Sequence, residues 1–506
     1  MLNANTIKNY KTEILSGLTV ALALVPEAIA FAFVADLDPL VGLYAAFIIG
    51  FITSVFGGRP GMISGATGAI AVVMAELFHQ NPTTKEYLFL MVIIMGIFQI
   101  LFGIFKLGKL VRLIPEPVMF GFVNGLAIVI FKAQFSSFKV KETGKLLPND
   151  QLIIMGVIIL IVMATIHFLP KITKAIPPAL AAIVISTLIV IVFKLDTNTV
   201  GDVASVAGGF PTPSLPAIPK TFDMWKIITK TALILASVGL IESLMTLTLV
   251  DERTKTRGQS NRESMAQGFA NVLTGLFGGM GGCAMIGQSM INIDSGGRKR
   301  ASGISASLFL LSFILFGSTI IEQIPIAALV GVMFMVVIGT FEWETFTVIK
   351  NIPKTDALVI LVVTVVTVLT DLAVAVFVGI IISALVFAWE SAKKTVAKSF
   401  IREDGAREYD LSGAIFFAST TAFKQIFNFE DKEPEIYIDF KNARVFDHSA
   451  IEAINWVTEQ YRQAGKTLHL LHLSNDCQIL LKNAQSIIVV NVVEDPLYKV
   501  SDDTLA

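Results

Sequence analysis

The chain carries long runs of apolar residues that continue from near its N-terminus to about Trp389. Two of these runs, residues 152–166 and 357–370, contain no charged residue. Each approaches the ~20 residues that a helix needs to cross the hydrocarbon layer of a bilayer. Repeated runs of this kind predict a polytopic bundle of roughly a dozen or more membrane helices.

Two glycine-rich segments interrupt this apolar pattern, at residues 61–77 and 275–297. Each leads into an apolar stretch that is too short to cross a bilayer alone. Interruptions in corresponding positions of two halves are typical of transporters, whose broken helices point their positive N-terminal ends at the middle of the membrane. The pattern therefore predicts two half-helices that meet at a binding site.

An anion is the ligand that such helix starts favour. Unpaired backbone N–H groups are costly in lipid, and an anion at a helix N-terminus satisfies both these donors and the helix dipole. In the first break, Gly65, Gly68 and Ala69 expose the backbone and Thr67 adds a hydroxyl. The alternative is that the small residues only allow helices to pack closely. Cys283, in the second break, is expected to be a small packing residue.

Two acidic residues, Glu27 and Glu242, lie within apolar segments that contain no lysine or arginine. Such carboxylates cost roughly 2.5 to 3.5 kcal/mol at a helix centre, so they usually line a cavity and function there. Without a basic partner, each is expected to be protonated or to hold a cation. Thr246 lies one helical turn after Glu242 on the same face, and the pair would suit a hard cation. For Glu27 the alternative is capping of backbone groups freed by Pro26.

The remaining charges indicate how the chain is oriented. Only 16% of the residues are charged and the net charge is −1, against roughly 25% charged residues in a soluble domain. Basic residues cluster in short connections, which the positive-inside rule places in the cytoplasm. These residues are Lys106, Lys109 and Arg112; Lys171 and Lys174; Arg253, Lys255 and Arg257; Arg298, Lys299 and Arg300; and Lys350 and Lys354. Four others lie near segment ends, where snorkelling or capping explains them: Glu76, Lys132, Glu342 and Asp371.

The composition changes sharply after Trp389. There, IYIDF and TLHLLHL have the pattern of short buried strands, and residues 449–464 between them have helical periodicity. A strand, a helix and a strand in that order make a βαβ unit. We therefore expect a transmembrane domain over residues 1–395 and a cytosolic α/β domain over residues 396–506, with both termini in the cytoplasm.

The segments around the two acids resemble a known family. PEAIAFAFVADLDPLVGLYAAFIIGFITSVFGGRPGMISGATGAIAVVM resembles the N-terminal signature of the SulP family of sulfate permease-like anion transporters. IESLMTLTLVDERTKTRGQSNRESMAQGFANVLTGLFGGMGG resembles the second conserved block of that family, and the tail resembles its STAS domain. The resemblance implies fourteen membrane segments in two inverted repeats of seven, with a core domain that moves against a gate domain. It also implies a homodimer.

The same resemblance assigns residues to two sites. In family members, the anion is bound between the two half-helices. Carried onto this chain, that site comprises Glu27, Ala66, Thr67, Gly68, Ala69, Ala284, Met285, Ile286 and Gln288. In sodium-coupled bicarbonate members, the positions of Glu242 and Thr246 hold the coupling ion, so a sodium ion or a proton is expected there. No other cofactor is expected.

The chain departs from the family pattern at the coupling site and in the cavity. Sodium-binding members have Asp at the position of Glu242 and Thr at that of Ile286, so a proton is favoured over sodium. Many members have Arg at the position of Gln288, and its absence leaves two acids without a fixed positive charge. Such a cavity repels anions unless a cation neutralises one acid, which predicts cation-coupled symport of sulfate or bicarbonate by alternating access.

Other functional classes are weaker alternatives. A passive anion channel gains nothing from a buried, unpaired Glu242, and an uncoupled exchanger would leave the anion facing two acids that no cation neutralises. A signalling scaffold would use the bundle only as an anchor. An enzyme is not expected, because the chain has no metal-ligand spacing, phosphate loop or nucleophile elbow. Asp447, His448 and Ser449 are adjacent and should point in different directions, in an order unlike the phosphorylation site of related anti-sigma-factor antagonists. The expected partners are a small inorganic anion, membrane lipid, a second copy and a cytosolic regulator of the STAS domain, but not nucleic acid, at a bacterial plasma membrane.

Overall fold

The computed structural model describes residues 4–108, 115–139, 145–173, 177–203, 205–206, 208–213, 215–348, 352–370, 372–481, 488–489 and 500. Lys109, Arg112, Lys174, Lys350 and Asp371, for which the sequence predicts locations, lie outside these residues. Internal packing divides the chain into two units, Met1–Ile380 and Ile381–Ala506. The boundary at residues 395 and 396 that the sequence predicts stays a prediction.

The first unit is helical. Proline occupies the first position of the second and seventh helices, where its missing N–H removes no helical hydrogen bond. The helices before residue 204 are α1 (Ala4–Val34), α2 (Pro39–Phe56), α3 (Gly68–Gln80), α4 (Leu88–Ile104), α5 (Glu116–Gln134), α6 (Asn149–Ile172), α7 (Pro178–Phe193) and α8 (Val200–Val203). Those after it are α9 (Phe222–Thr254), α10 (Ser260–Leu276), α11 (Ile286–Asp294), α12 (Arg300–Phe316), α13 (Ser318–Glu322), α14 (Ile326–Thr340), α15 (Thr345–Val348) and α16 (Lys354–Leu369), and α17 (Leu372–Lys393) runs across the division after Ile380.

Helix length and composition confirm a helical membrane bundle. Among the described residues, eight helical spans are long and apolar enough to cross a membrane, and α3, α7 and α12 are shorter apolar helices. The half-helix α11 covers only residues 286–294. The number fourteen for the membrane segments stays a prediction.

The helices of this unit form two packed groups. In one group, α1 packs against α2 and α12, and α10 packs against α2 and α4. In the other, α5 packs against α14 and α16, and α6 packs against α7 and α14. This arrangement matches the predicted division into a core and a gate domain, and the two groups meet where α1 contacts α14 and α3 contacts α5.

The two glycine-rich breaks form the same structure in each half. Strand β1 (Ser64–Ala66) precedes α3, and strand β2 (Gly282–Ala284) precedes α11. The strands pair antiparallel, with Gly65 opposite Cys283. Gly61 and Gly278, just before the two strands, have φ angles of +83° and +76°, which glycine adopts at little cost. In both halves the order is two helices, a short strand and a half-helix.

The C-terminal unit contains a small α/β domain, as predicted. Its sheet has the order β3-β4-β5-β6-β7, with β3 antiparallel to β4 and the other pairs parallel. The strands are β3 (Val396–Ile401), β4 (Arg407–Ile415), β5 (Glu435–Val445), β6 (Thr467–Leu471) and β7 (Ile488–Val489), and the helices are α18 (Thr420–Gln425), α19 (His448–Gln463) and α20 (Asn475–Leu480). Asp447 caps α19, because its side chain accepts a 2.9 Å hydrogen bond from the Ala450 N–H.

Candidate functional site

The paired strands place the starts of the two half-helices next to each other. Thr67 is the N-cap of α3 and Met285 is the N-cap of α11, and both have extended backbone angles. Neither N-cap side chain bonds to the helix that it precedes. The first N–H groups of both half-helices are therefore left for another acceptor.

A cavity of about 460 Å³ opens at these helix starts. Its walls come from both helix groups, because α1, α3, α9 and α11 contribute from one side and α5 and α14 from the other. The sequence-predicted residues that line it are Glu27, Thr67, Gly68, Ala69, Glu242, Met285, Ile286 and Gln288. Two half-helix N-termini thus face one cavity between the groups.

Glu27 ties α1 to the second half-helix. The amide Nε2 of Gln288 donates a hydrogen bond to Oε2 of Glu27. Both side chains belong to buried residues, with Glu27 7% and Gln288 4% exposed. The carboxylate is thus held by an uncharged amide rather than by a basic side chain. The hydrogen-bond partner of the Glu27 carboxylate is thus a side chain of α11. The alternative that the sequence left open was a local role, capping backbone groups beside Pro26.

Glu242 is connected to the first half-helix through Cys283. The thiol of Cys283 donates to Oε2 of Glu242, with 3.0 Å between the sulfur and the oxygen. The same sulfur lies 3.2 Å from the hydroxyl oxygen of Thr67. A chain of three polar side chains thus runs from α9 through β2 to the N-cap of α3. Cys283 is therefore a hydrogen-bonding residue as well as the small packing residue expected from the sequence. The sequence feature that points to this role is its position within the second glycine-rich break.

Three predicted residues occupy positions away from the cavity wall. Ala66 lies in β1 and Ala284 lies in β2, so both contribute to the strand pair. The Ala284 N–H donates to the Ser243 hydroxyl at 3.1 Å. Thr246 is fully buried, and its hydroxyl donates to the backbone carbonyl of Glu242 at 2.8 Å. These residues support the site but do not line it.

Glu342 is a cavity residue that the sequence interpretation assigned to a segment end. It follows the end of α14 at Thr340, and its N–H donates to the side-chain oxygen of Asn124 at 2.8 Å. The sequence carried no local signal for this position, because Glu342 lies within a helical span, Ile326–Thr347, that is long and apolar enough to cross a membrane. The described wall contains three acids and no lysine or arginine. The groups of the described wall that could attract an anion are therefore backbone N–H groups rather than a lysine or an arginine.

Comparison with known sequences identifies related proteins. The pattern of the sulfate permease family matches residues 10–363. The putative sulfate transporter YbaR of Bacillus subtilis (strain 168) is 41% identical over 488 residues, which cover 95% of this chain and 99% of that protein. The bicarbonate transporter BicA of Picosynechococcus sp. is 32% identical over 401 residues, covering 74% of this chain and 70% of that protein.

Solved structures show the same fold. The transmembrane domain of a cyanobacterial bicarbonate transporter BicA matches with a TM-score of 0.64 at 31% identity, over 73% of this chain and 97% of that chain. The overall structure of SLC26A9 matches with a TM-score of 0.79 at 16% identity, over 96% of this chain and 89% of that chain. The second likeness concerns the fold alone, and it extends beyond the membrane helices.

Proposed function

Because the chain belongs to the sulfate permease family, which consists of transporters and not enzymes, we propose that it carries a small inorganic anion across the membrane. The observation that supports this proposal most directly is the convergence of two half-helix N-termini on one cavity between two helix groups. Free N–H groups and the positive ends of two dipoles stabilise an anion there. Movement of one group against the other would expose the anion to each side in turn.

The anion is sulfate or bicarbonate. These are the substrates in the names of the relatives, YbaR for sulfate and BicA for bicarbonate. Backbone N–H groups bind either oxyanion. The absence of an arginine, with Gln288 in its place, favours a monovalent anion, because each added negative charge meets the same three acids without a fixed counter-charge. Bicarbonate is therefore our first choice.

We propose a cation-coupled symport, with Glu242 as the coupling residue. A carboxylate in this cavity repels an anion unless a proton or a sodium ion neutralises it. Sodium prefers oxygen ligands, but the neighbour of the Glu242 carboxylate is the soft thiol of Cys283, and Thr246 donates its hydroxyl within its own helix. These contacts support a proton more than sodium. The alternative is an uncoupled exchanger or a channel-like protein.

Uptake by proteoliposomes tests the proposal. Labelled bicarbonate or sulfate is offered with an imposed proton gradient, an imposed sodium gradient or none, to wild type, Glu242→Gln and Thr246→Val. We expect uptake of one anion that requires the proton gradient, is lost in Glu242→Gln and is retained in Thr246→Val. Loss in both variants together with a sodium requirement would identify a sodium site instead. Uptake that ignores both gradients and survives Glu242→Gln would leave an exchanger or a channel.

The orientation and assembly in the membrane are part of the same proposal. The carboxylate of Glu13, in the first turns of α1, accepts hydrogen bonds from the backbone N–H groups of Arg298 and Lys299 at 2.9 and 3.1 Å. The N-terminal segment therefore lies on the side of a basic connection, which supports a cytoplasmic N-terminus. We further propose a homodimer in a bacterial plasma membrane, a cytoplasmic C-terminus and a cytosolic regulator that binds the STAS domain.

A further inference from the structure

A second cavity, of about 310 Å³, lies in the membrane unit further along α3, toward the C-terminal end of this helix. Its wall includes Lys132 near the end of α5 and Lys230 near the start of α9. Both lysines are exposed, and neither forms an ion pair with another described residue. Glu76 also lines the cavity, and its carboxylate accepts a 2.8 Å hydrogen bond from Gln80. Two lysines against one glutamate give this wall a net positive charge, unlike the acidic wall of the first cavity.

The two cavities are separated by a thin barrier. On α3, Ala69 lines the first cavity and Val72 lines the second, about 4.5 Å further along the helix axis. On α5, Ile130 lines the first cavity and the adjacent Val129 lines the second. About one helical turn of packed side chains therefore divides them.

Side chains of this barrier lie directly against the first residue of α3, Gly68. A methyl group added to Gly68 would lie 2.8 Å from the terminal carbon of Ile130 and 2.8 Å from the ring of Phe31. These two side chains, from α5 and α1, thus pack over the start of α3, and both line the first cavity. Ile130 of α5 therefore lies at the start of α3, while the adjacent Val129 lines the second cavity.

The second cavity lies on the opposite side of the membrane from the basic connections. Helix α9 carries Lys230 near its start and Arg253 near its end, and its 33 residues extend about 50 Å. Leu249, in the later part of α9, lines the first cavity, and Ile234, in the earlier part, lines the second. By the positive-inside rule, the second cavity faces outward.

We propose that Lys132 and Lys230 form an outward-facing vestibule that collects the anion before it passes the barrier to the half-helix site. This inference rests on the proposed transport function and adds to it a second, weaker anion site of mobile ammonium groups. The vestibule supplies the positive charge that the transport cavity lacks. Clefts lined by charge of one sign raise the local concentration of the opposite ion, and salt screens the effect.

Kinetics of uptake from the lysine side test this site. In cells lacking their own uptake systems, we expect Lys132→Gln and Lys230→Gln each to raise the apparent KM about three- to fivefold, because a unit charge about 4 Å from the anion contributes ~1 kcal/mol in water. The maximal rate should stay within about twofold, since the half-helix site is intact. Adding an impermeant salt should raise the KM of wild type more than that of the double variant. Lys132→Arg and Lys230→Arg should keep the wild-type KM.

Lys226→Gln is the matched control. Lys226 is exposed on α9 one turn before Lys230 but does not line the cavity, so its loss should leave the KM unchanged. An unchanged KM in the Lys132 and Lys230 variants, or an equal rise in Lys226→Gln, would overturn the vestibule while leaving the transport function intact. Absence of bicarbonate and sulfate uptake by wild type would overturn the proposed function itself. In inside-out vesicles, where the anion is offered from the other side, the variants should match wild type.

Discussion

A single methyl group should separate the role of the strand pair from that of the cavity. Gly282 lies in β2 opposite Ala66. A Cβ atom at Gly282 would lie 2.0 Å from the backbone oxygen of Gly65 and 2.7 Å from its carbonyl carbon. Because these atoms belong to the backbone of the paired strand, no side-chain rotation relieves the overlap. Gly282→Ala must therefore push β1 and β2 apart.

The expected cost follows from what this displacement breaks. Ordinary van der Waals contact begins at 3.4 Å, so the strands must separate by more than about 1 Å. Asn271 holds Gly282 with two hydrogen bonds of 3.0 Å, one to its N–H and one to its carbonyl. Overpacking costs about 1–3 kcal/mol, and a net buried hydrogen bond adds roughly 1 kcal/mol. We expect about 3 kcal/mol or more of lost stability, together with misalignment of both half-helices.

The partner strand provides a matched control. A Cβ atom at Gly65 would meet its nearest neighbours, in Ala46 and Met285, at 3.5 Å, which is ordinary contact. Gly65→Ala should therefore keep both the thermal unfolding midpoint in detergent and anion uptake close to wild type. Gly282→Ala should lower the midpoint clearly and reduce uptake more than about tenfold. If the two variants proved equally stable and equally active, the strand pair would not set the geometry of the site.

Two further substitutions test buried charge contacts in the two units. Arg59→Gln should destabilise the membrane unit by about 3 kcal/mol, because it removes the ionic partner that lies 3.0 Å from the partly buried carboxylate of Asp251 and leaves the Gly258 N–H to donate to it. Lys85 is exposed, so Lys85→Gln should cost less than about 1 kcal/mol in the same detergent-unfolding assay. Equal costs for the two variants would refute this reasoning. In the C-terminal unit, burial and Asp431 raise the pKa of Tyr409, which keeps its hydroxyl a donor to that carboxylate at 2.6 Å. Tyr409→Phe should therefore cost about 1.5–3 kcal/mol in the unfolding of this unit, and a cost near zero would contradict the charge-assisted bond.

The helical breaks could be predicted from the sequence, but the strand pair between them could not. Glycine-rich composition before a short apolar run is enough to indicate a half-helix. Strands of three residues, such as Ser64–Ala66 and Gly282–Ala284, are too short to show the alternation that identifies a strand. Their pairing joins residues more than two hundred positions apart, and a local sequence pattern contains no information about so distant a partner.

The roles of single polar residues could not be predicted from the sequence, because residue spacing does not determine which groups their side chains contact. A threonine four residues after Glu242 can face a ligand or donate to the preceding turn of its own helix, and Thr246 does the latter. Glu27 and Glu242 were found because charge in an apolar run is costly whatever its neighbours. Glu342 was assigned to a segment end because the run before it gives no sign of where the helix ends relative to the membrane.

In the proposed symport, the contacts of the two acids would link cation binding to anion binding. Each bonds to a residue that belongs to the half-helix region rather than to a basic partner: Glu27 to Gln288 at the start of α11, and Glu242 to Cys283, which contacts the N-cap Thr67. A proton on Glu242 removes the negative charge beside the start of α3 and weakens the acceptor that holds the thiol. In the proposed symport, protonation therefore changes both the electrostatic potential and the side-chain contacts at the backbone that binds the anion. Such coupling would need no relay across the protein, because Glu242 lines the same cavity as the starts of the two half-helices.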